Sequence, residues 1–200
     1  MKQFNFLKLS KAKQKKIILA GFQCFAKSGY DKTSIAEIAK LAGISKASIF
    51  HYFETKKNLY NYLYKESCSL IADNIVEGND DLFETITIGT ISKFEVMKQY
   101  PYMYQFLIST NQEENQIIKN ELSKLLETDY KRGSEILFKN INWNKLKLDI
   151  TPQTALELII DLSQGYLKEV SINEDSDLVV KKLNVYLEIL KRAIYKEDYL

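Results

Sequence analysis

Two hundred residues are enough for one large or two small domains, and 46% hydrophobic content is ample for a sizeable buried core. Only two prolines and seven glycines interrupt long apolar-periodic segments, which excludes a sheet-rich chain and predicts an all-α fold of about nine helices. The net charge of +2 is unevenly divided: residues 1–66 hold 13 Lys against 4 Asp plus Glu, giving +9 and leaving −7 on residues 67–200. The basic N-terminal end is therefore the one that attracts a polyanion.

Residues 1–9 carry lysines but little periodic pattern and read as a loosely ordered arm, with DNA contact as the alternative. A helix over about 10–28 follows, with Ile18, Phe22 and Phe25 as its inner stripe and Gly29 as its terminator. Ser34 and Glu37 have capping-box spacing. Ile35, Ile38, Ala39 and Ala42 then share one helical face, and Gly43 closes the helix with Ile44 as an apolar plug. Ser45 caps a second short helix, about 46–52, that turns Ile49 and Phe53 inward. Lys46, Ala47, Ser48, Phe50, His51 and Tyr52 are left on its outer and flanking faces, which is too polar for plain core. This is the helix-turn-helix pattern, whose second helix enters the major groove.

The stretch FAKSGYDKTSIAEIAKLAGISKASIFHYFETKKNL resembles the N-terminal domain of the tetracycline-repressor (TetR) family of bacterial transcription regulators. Phe25, Gly29-Tyr30, Thr33, Ile38-Ala39, Ala42-Gly43, Ser45, the run Phe50-His51-Tyr52-Phe53, Lys56 and Leu59 all fall in step, over about residues 11–71. One departure is Phe50, where the family usually has a tyrosine. The resemblance implies a three-helix DNA-binding domain over 10–55, extended to about 71 by the next helix. It also implies a ligand-binding and dimerisation domain over 56–200 and a four-helix dimer contact.

Thr55 caps the next helix, about 56–76. Lys56 and Lys57 stand in its first turn, where the macrodipole disfavours cations and a bound phosphate would reverse that cost. The resemblance places Lys56 at the DNA backbone, while Lys57 leaves phosphate contact and plain surface lysine equally open. The expected DNA surface is Thr33, Ser34, Ser45, Lys46, Ala47, Ser48, Phe50, His51, Tyr52, Lys56 and Lys57. Lys46, Ala47, Ser48 and His51 are expected to face base edges.

Gly78-Asn79-Asp80-Asp81 reads as a turn and helix cap, since the twelve-residue EF-hand pattern is missing. A helix over about 80–99 follows, then a short one opened by Pro101 as a first-turn proline. Another helix runs from about 110–113 to 138, a connection covers 139–150, and two last helices span about 152–170 and 176–196. Met97, Tyr102, Tyr104, Phe106, Tyr130, Trp143 and Tyr166 offer aromatic walls with polar tips, the mixture of a small-molecule cavity. Their assignment to an effector pocket rests mainly on the resemblance, and packing alone remains open. The last two helices are apolar on more than one face, and Leu156, Ile160, Leu167, Leu183, Leu187 and Leu190 are expected at a homodimer interface.

Catalytic constellations are missing. The single histidine, His51, lies in the reading helix, and neither a Walker A nor a dinucleotide-binding pattern occurs. His51 and Glu54 alone make no metal site. We expect no enzyme, no cofactor and no metal. Cys24 and Cys68 show no paired spacing, MKQFNFLKLS has no apolar core for a signal peptide, and no run approaches the ~20 residues of a membrane span. The expectation is a cytoplasmic, sequence-specific regulator, most simply a repressor. It would bind a palindromic duplex operator as a homodimer, be released by a small hydrophobic effector and have no membrane partner. The alternative is a helical regulator without an effector.

Overall fold

The computed structural model describes the backbone of residues 3–111, 113–168 and 176–200, and the side chains of these except at 3–4, 111, 124–134, 164, 167–168 and 176. Among them are ten α-helices: α1 (Gln3–Leu7), α2 (Lys11–Lys32), α3 (Ile35–Ala42), α4 (Lys46–Phe53), α5 (Lys56–Ala72), α6 (Leu82–Gln99), α7 (Met103–Asn111), α8 (Gln116–Leu137), α9 (Pro152–Lys168) and α10 (Ser176–Ile194). None is long and apolar enough to cross a membrane. The all-α expectation holds. The chain forms two compact units: 1–73 with 96–131, and 74–95 with 132–200.

That division follows different lines from 10–55 and 56–200. α7 packs on α2 because Phe106, fully buried, lies against Phe22 at 5.3 Å and Tyr60 at 5.1 Å between ring centroids. Aromatic burial, rather than order along the chain, thus draws 96–131 into the first unit. Its core is Ile17, Ile18, Phe22, Phe25, Ile38, Ile49, Phe53, Leu59, Tyr60, Leu63 and Phe106. Gly29 breaks α2 at φ 69°, ψ 179°, a region open essentially to glycine alone.

Two local expectations need correction. Residues 3–7 are helical rather than a loose arm. An isolated five-residue helix is unstable, but Phe6 is completely buried against Tyr52, Phe53 and Tyr62, which contributes roughly 1.5–3 kcal/mol. The Gln14 amide closes the turn by donating to the Leu7 and Leu9 carbonyls. Pro101 does not open a helix either. The Met103 amide donates to the Tyr100 carbonyl at 3.1 Å and Tyr102 has φ 67°, so Pro101 and Tyr102 are the central residues of a type II-like turn.

In the second unit the Gly78–Asp81 segment is the cap expected. Asp81 Oδ1 accepts from the Phe83 and Glu84 amides at the start of α6, while Oδ2 faces Lys191 at 3.0 Å and Lys145 at 3.7 Å. The Leu82 amide donates to the Tyr195 hydroxyl, and Leu146 bridges to Tyr195. The core of this unit is Leu82, Phe83, Ile141, Leu146, Ala155, Ile159, Leu183, Leu187, Ile194 and Tyr195. Cys24 is buried and Cys68 half-buried.

Candidate nucleic-acid interface

The geometry of α3 and α4 follows from their caps. Ser34 accepts the Glu37 amide at 3.1 Å and Ser45 accepts the Ser48 amide at 3.0 Å, each satisfying a first-turn donor. Gly43 sits at φ 69°, ψ 35°. The Ile44 amide reaches the Ala39 carbonyl and the Gly43 amide the Lys40 carbonyl, which is a Schellman closure. Ile49 and Phe53 anchor α4 in the core, at 1% and 3% exposure. Lys46, Ala47, Phe50 and His51 are exposed and Ser48 and Tyr52 half-buried. The Lys46 amine lies over the Phe50 ring one turn on, at 5.8 Å.

A sharp turn ends α4. The Thr55 amide donates to the Phe53 carbonyl at 2.7 Å, with Glu54 between them at φ 65°, ψ −45°. That is a γ-turn with a positive, strained φ at its centre. It sets α5 immediately after the reading helix, with Thr55 accepting the Asn58 amide. No sequence pattern flagged Glu54.

The remaining expected DNA residues divide by environment. Ser34 and Ser45 are exposed caps. Thr33 is 2% exposed and donates to the Cys24 and Gly29 carbonyls, so it shapes the interface from beneath rather than lining it. Lys56, expected at a phosphate, directs its amine inward, to the Tyr30, Asp31 and Thr33 carbonyls at 2.8, 3.1 and 3.1 Å. Those orphan carbonyls at the end of α2 are negative and lack helical partners. Lys57 pairs with Glu121 of α8 at 2.7 Å, and the hydrogen bond and charge of that carboxylate raise its pKa. Asn61 also donates to Glu121, and Asn115 to Asp31. The start of α8 is thereby tied to the rim of the head, a contact that residues 64 positions apart did not signal.

The basic head also includes α1. Asn5 Nδ2 lies 3.3 Å from His51 Nε2, and Tyr52 meets the His51 ring edge-on at 5.5 Å. The sequence carries a signal for this helix: MKQFNFLKLS places Phe6 and Leu9 three apart, an apolar pair able to dock one helical turn.

The expected pocket residues fall in both compact units. Met97, Tyr102, Tyr104 and Phe106 belong to the first unit and Trp143 and Tyr166 to the second. The Tyr130 side chain lies outside the described residues. Phe106 is a core ring, and burial pushes the Tyr104 hydroxyl up to about 12. Tyr166 donates to the Val179 carbonyl and meets Tyr186 edge-on within the second unit. Of the expected dimer residues, Leu183 and Leu187 are 0% and 2% exposed and fill the second unit's own core. Leu156, Ile160 and Leu190 are half-buried, and the Leu167 side chain lies outside the described residues. The exposed apolar stripe of α10 is instead Leu178, Val185 and Ile189.

Residues 17–63 match the family model described as bacterial regulatory proteins, tetR family. Over 196 residues the chain is 27% identical to the biofilm operon icaADBC HTH-type negative transcriptional regulator IcaR of Staphylococcus aureus, covering 86% of this chain and 98% of that protein. It is 21% identical to the HTH-type transcriptional repressor AcnR of Corynebacterium diphtheriae, covering 90% and 93%. Its fold is similar to that of a TetR family transcriptional regulator from Chloroflexus aurantiacus, with a TM-score of 0.63 at 19% identity over 97% of this chain and 98% of that one. The matched segment contains the whole of the α3–turn–α4 reader, and the relatives match along nearly their full length: the chain is similar to the tetR family of bacterial regulatory proteins, through its reader in the family model and along its length in these relatives.

Proposed function

We propose that the chain is a cytoplasmic transcriptional repressor that binds a duplex operator through α4. The carrying observation is the two-sided character of that helix: Ile49 and Phe53 fix it in the core, while Lys46, Ala47, Ser48, Phe50 and His51 face outward. A rigid short helix with a polar, cationic outer face is what major-groove reading requires. The similar proteins IcaR and AcnR are a negative transcriptional regulator and a transcriptional repressor, which supports repression. The operator is an inverted repeat read by a dimer, its half-sites about 34–36 Å apart or a multiple of that. The dimer contact uses the exposed stripe Leu178, Val185 and Ile189, flanked by Lys181, Glu188 and Arg192 along a shallow groove. Selection of duplexes from genomic fragments, followed by footprinting, tests this; recovery of no palindromic site would overturn it.

A small-molecule effector that lowers operator affinity completes the reading. Buried Asn61 Oδ1 on α5 and Gln105 Oε1 on α7 have no hydrogen-bond partner among the described residues, and buried acceptors of that kind mark places where a donor can be received. α5 carries Asn61 and also begins at the rim of the reader, so a shift of α5 changes the pose of α4. The coupling is expected at ~1–3 kcal/mol and must be reciprocal. The effector-free alternative is favoured by one observation, the packing of Phe106 into the head's own core. A thermal-shift screen, each hit titrated into the protein–operator complex, decides between them: a hit must weaken operator binding by the factor by which operator weakens the hit.

A further inference from the structure

We infer that α1 is a working part of the reader, with Asn5 as a positioning residue that holds the His51 imidazole and so sets the base preference where His51 faces the groove. The inference rests on the reading of α4 proposed above and adds a determinant outside the matched segment 17–63.

Two independent contacts place α1. Phe6 is completely buried, 4.9 Å from the Phe53 ring, 5.2 Å from Tyr62 and 6.1 Å from Tyr52. Phe53 and Tyr52 are the last residues of α4 and Tyr62 is on α5, so one side chain locks α1 to both. At the other end, Gln14 donates to the Leu7 and Leu9 carbonyls at 3.1 and 2.8 Å, which fixes the end of α1 against α2. With Phe6 seated, the neighbouring Asn5 has little freedom. Its amide reaches His51 Nε2 at 3.3 Å across 46 positions of chain.

The consequence is chemical. A neutral imidazole has one donor and one acceptor nitrogen, and the partner of one nitrogen decides which carries the proton. With the Asn5 amide donating, Nε2 accepts and the proton lies on Nδ1, so the groove is offered a donor there. Tyr52 supports the ring edge-on at 5.5 Å, which limits its rotation. An unheld His51 would sample both tautomers and several rotamers, and one base-edge pattern would no longer be favoured over another. Order in α1 therefore becomes discrimination by α4.

The chain's single histidine makes the test direct, because every imidazole signal belongs to His51. Ring 15N shifts of the DNA-free protein report tautomer populations. We expect them to change in Asn5→Ala and to stay in place in Leu7→Ala, a control at an exposed position of the same helix. In parallel, the full chain selects duplexes from a random pool, as do Asn5→Ala, His51→Ala and the double variant. We expect Asn5→Ala and His51→Ala to flatten preference at the same base pair of each half-site, each by ~5-fold or more, and the double variant to lose nothing further. A wild-type duplex preference that Asn5→Ala leaves intact, or flattens at a different base pair from His51→Ala, overturns the inference alone. Enrichment of no duplex by the unaltered chain removes the DNA reading, and the inference with it, even if the ring spectra confirm the contact. Ring spectra unchanged in Asn5→Ala overturn the inference whatever the DNA result.

Discussion

The Lys56 amine at the start of α5 donates to the Tyr30 carbonyl at 2.8 Å and sits 4.4 Å from the centre of the Tyr30 ring. A cation in the first turn of a helix is disfavoured by the macrodipole. Here the long side chain carries the charge away from its own helix and onto the carbonyl end of α2, where the dipole has the opposite sign. Thr33 and Asp31 supply the other two acceptors. Lys56 is thus the tie between the helix before the reader and the helix after it.

Lys56→Ala should therefore destabilise the head, by about 1–3 kcal/mol for a half-buried cation and its hydrogen bonds. Urea unfolding followed by circular dichroism measures this. Unchanged stability, with a salt dependence of DNA binding reduced by about one counterion's worth, would instead return Lys56 to the phosphate backbone.

Gly43→Ala should cost about 1 kcal/mol, because the left-handed conformation of a C-cap disfavours a Cβ. The cost is confined to the backbone: an added Cβ at Gly43 meets nothing within 4 Å. Gly43→Asn, which tolerates that conformation better, should lose less. Equal unfolding midpoints for the two variants would contradict this.

Acid should weaken the second unit through Asp81. Burial alone would raise its carboxyl, but Lys191 and the Glu84 and Phe83 amides outweigh this and hold its pKa below the ordinary value of 3.8. A depressed folded pKa contributes stability that is fully present above the unfolded value and is lost as pH falls through the folded one. The unfolding midpoint should thus drop as pH falls below about 4. Asp81→Asn should lower stability near neutral pH by about 1–3 kcal/mol and flatten that part of the acid dependence. A variant with the wild-type slope would remove Asp81 as its source.

The two faces of α10 should respond differently to charge. Ile189, 64% exposed, can become Glu without harm to the fold, so Ile189→Glu should give a folded monomer by light scattering. Leu187, 2% exposed, cannot, since an unpaired carboxylate in an apolar core is strongly unfavourable; Leu187→Glu should unfold the second unit. A dimer that survives Ile189→Glu would move the interface off this stripe.

What the sequence determined by itself is the reader. Caps at Ser34, Ser45 and Thr55, the glycine at 43 and the apolar spacing of Ile35, Ile38, Ala39, Ala42 and Ile49 are all local, acting within one or two turns, and α3, α4 and the start of α5 fall where those signals place them. The tertiary structure decided whatever depends on partners distant along the chain. Whether Leu187 or Ile189 faces inward on an all-round apolar helix depends on what packs beside it, because periodicity locates stripes without saying which one is covered. The direction of the Lys56 amine depends on where α2 ends in space. Residues 3–7 are helical only because Tyr52, Phe53 and Tyr62 enclose Phe6: a segment too short to hold a helix alone takes its structure from the surface it buries.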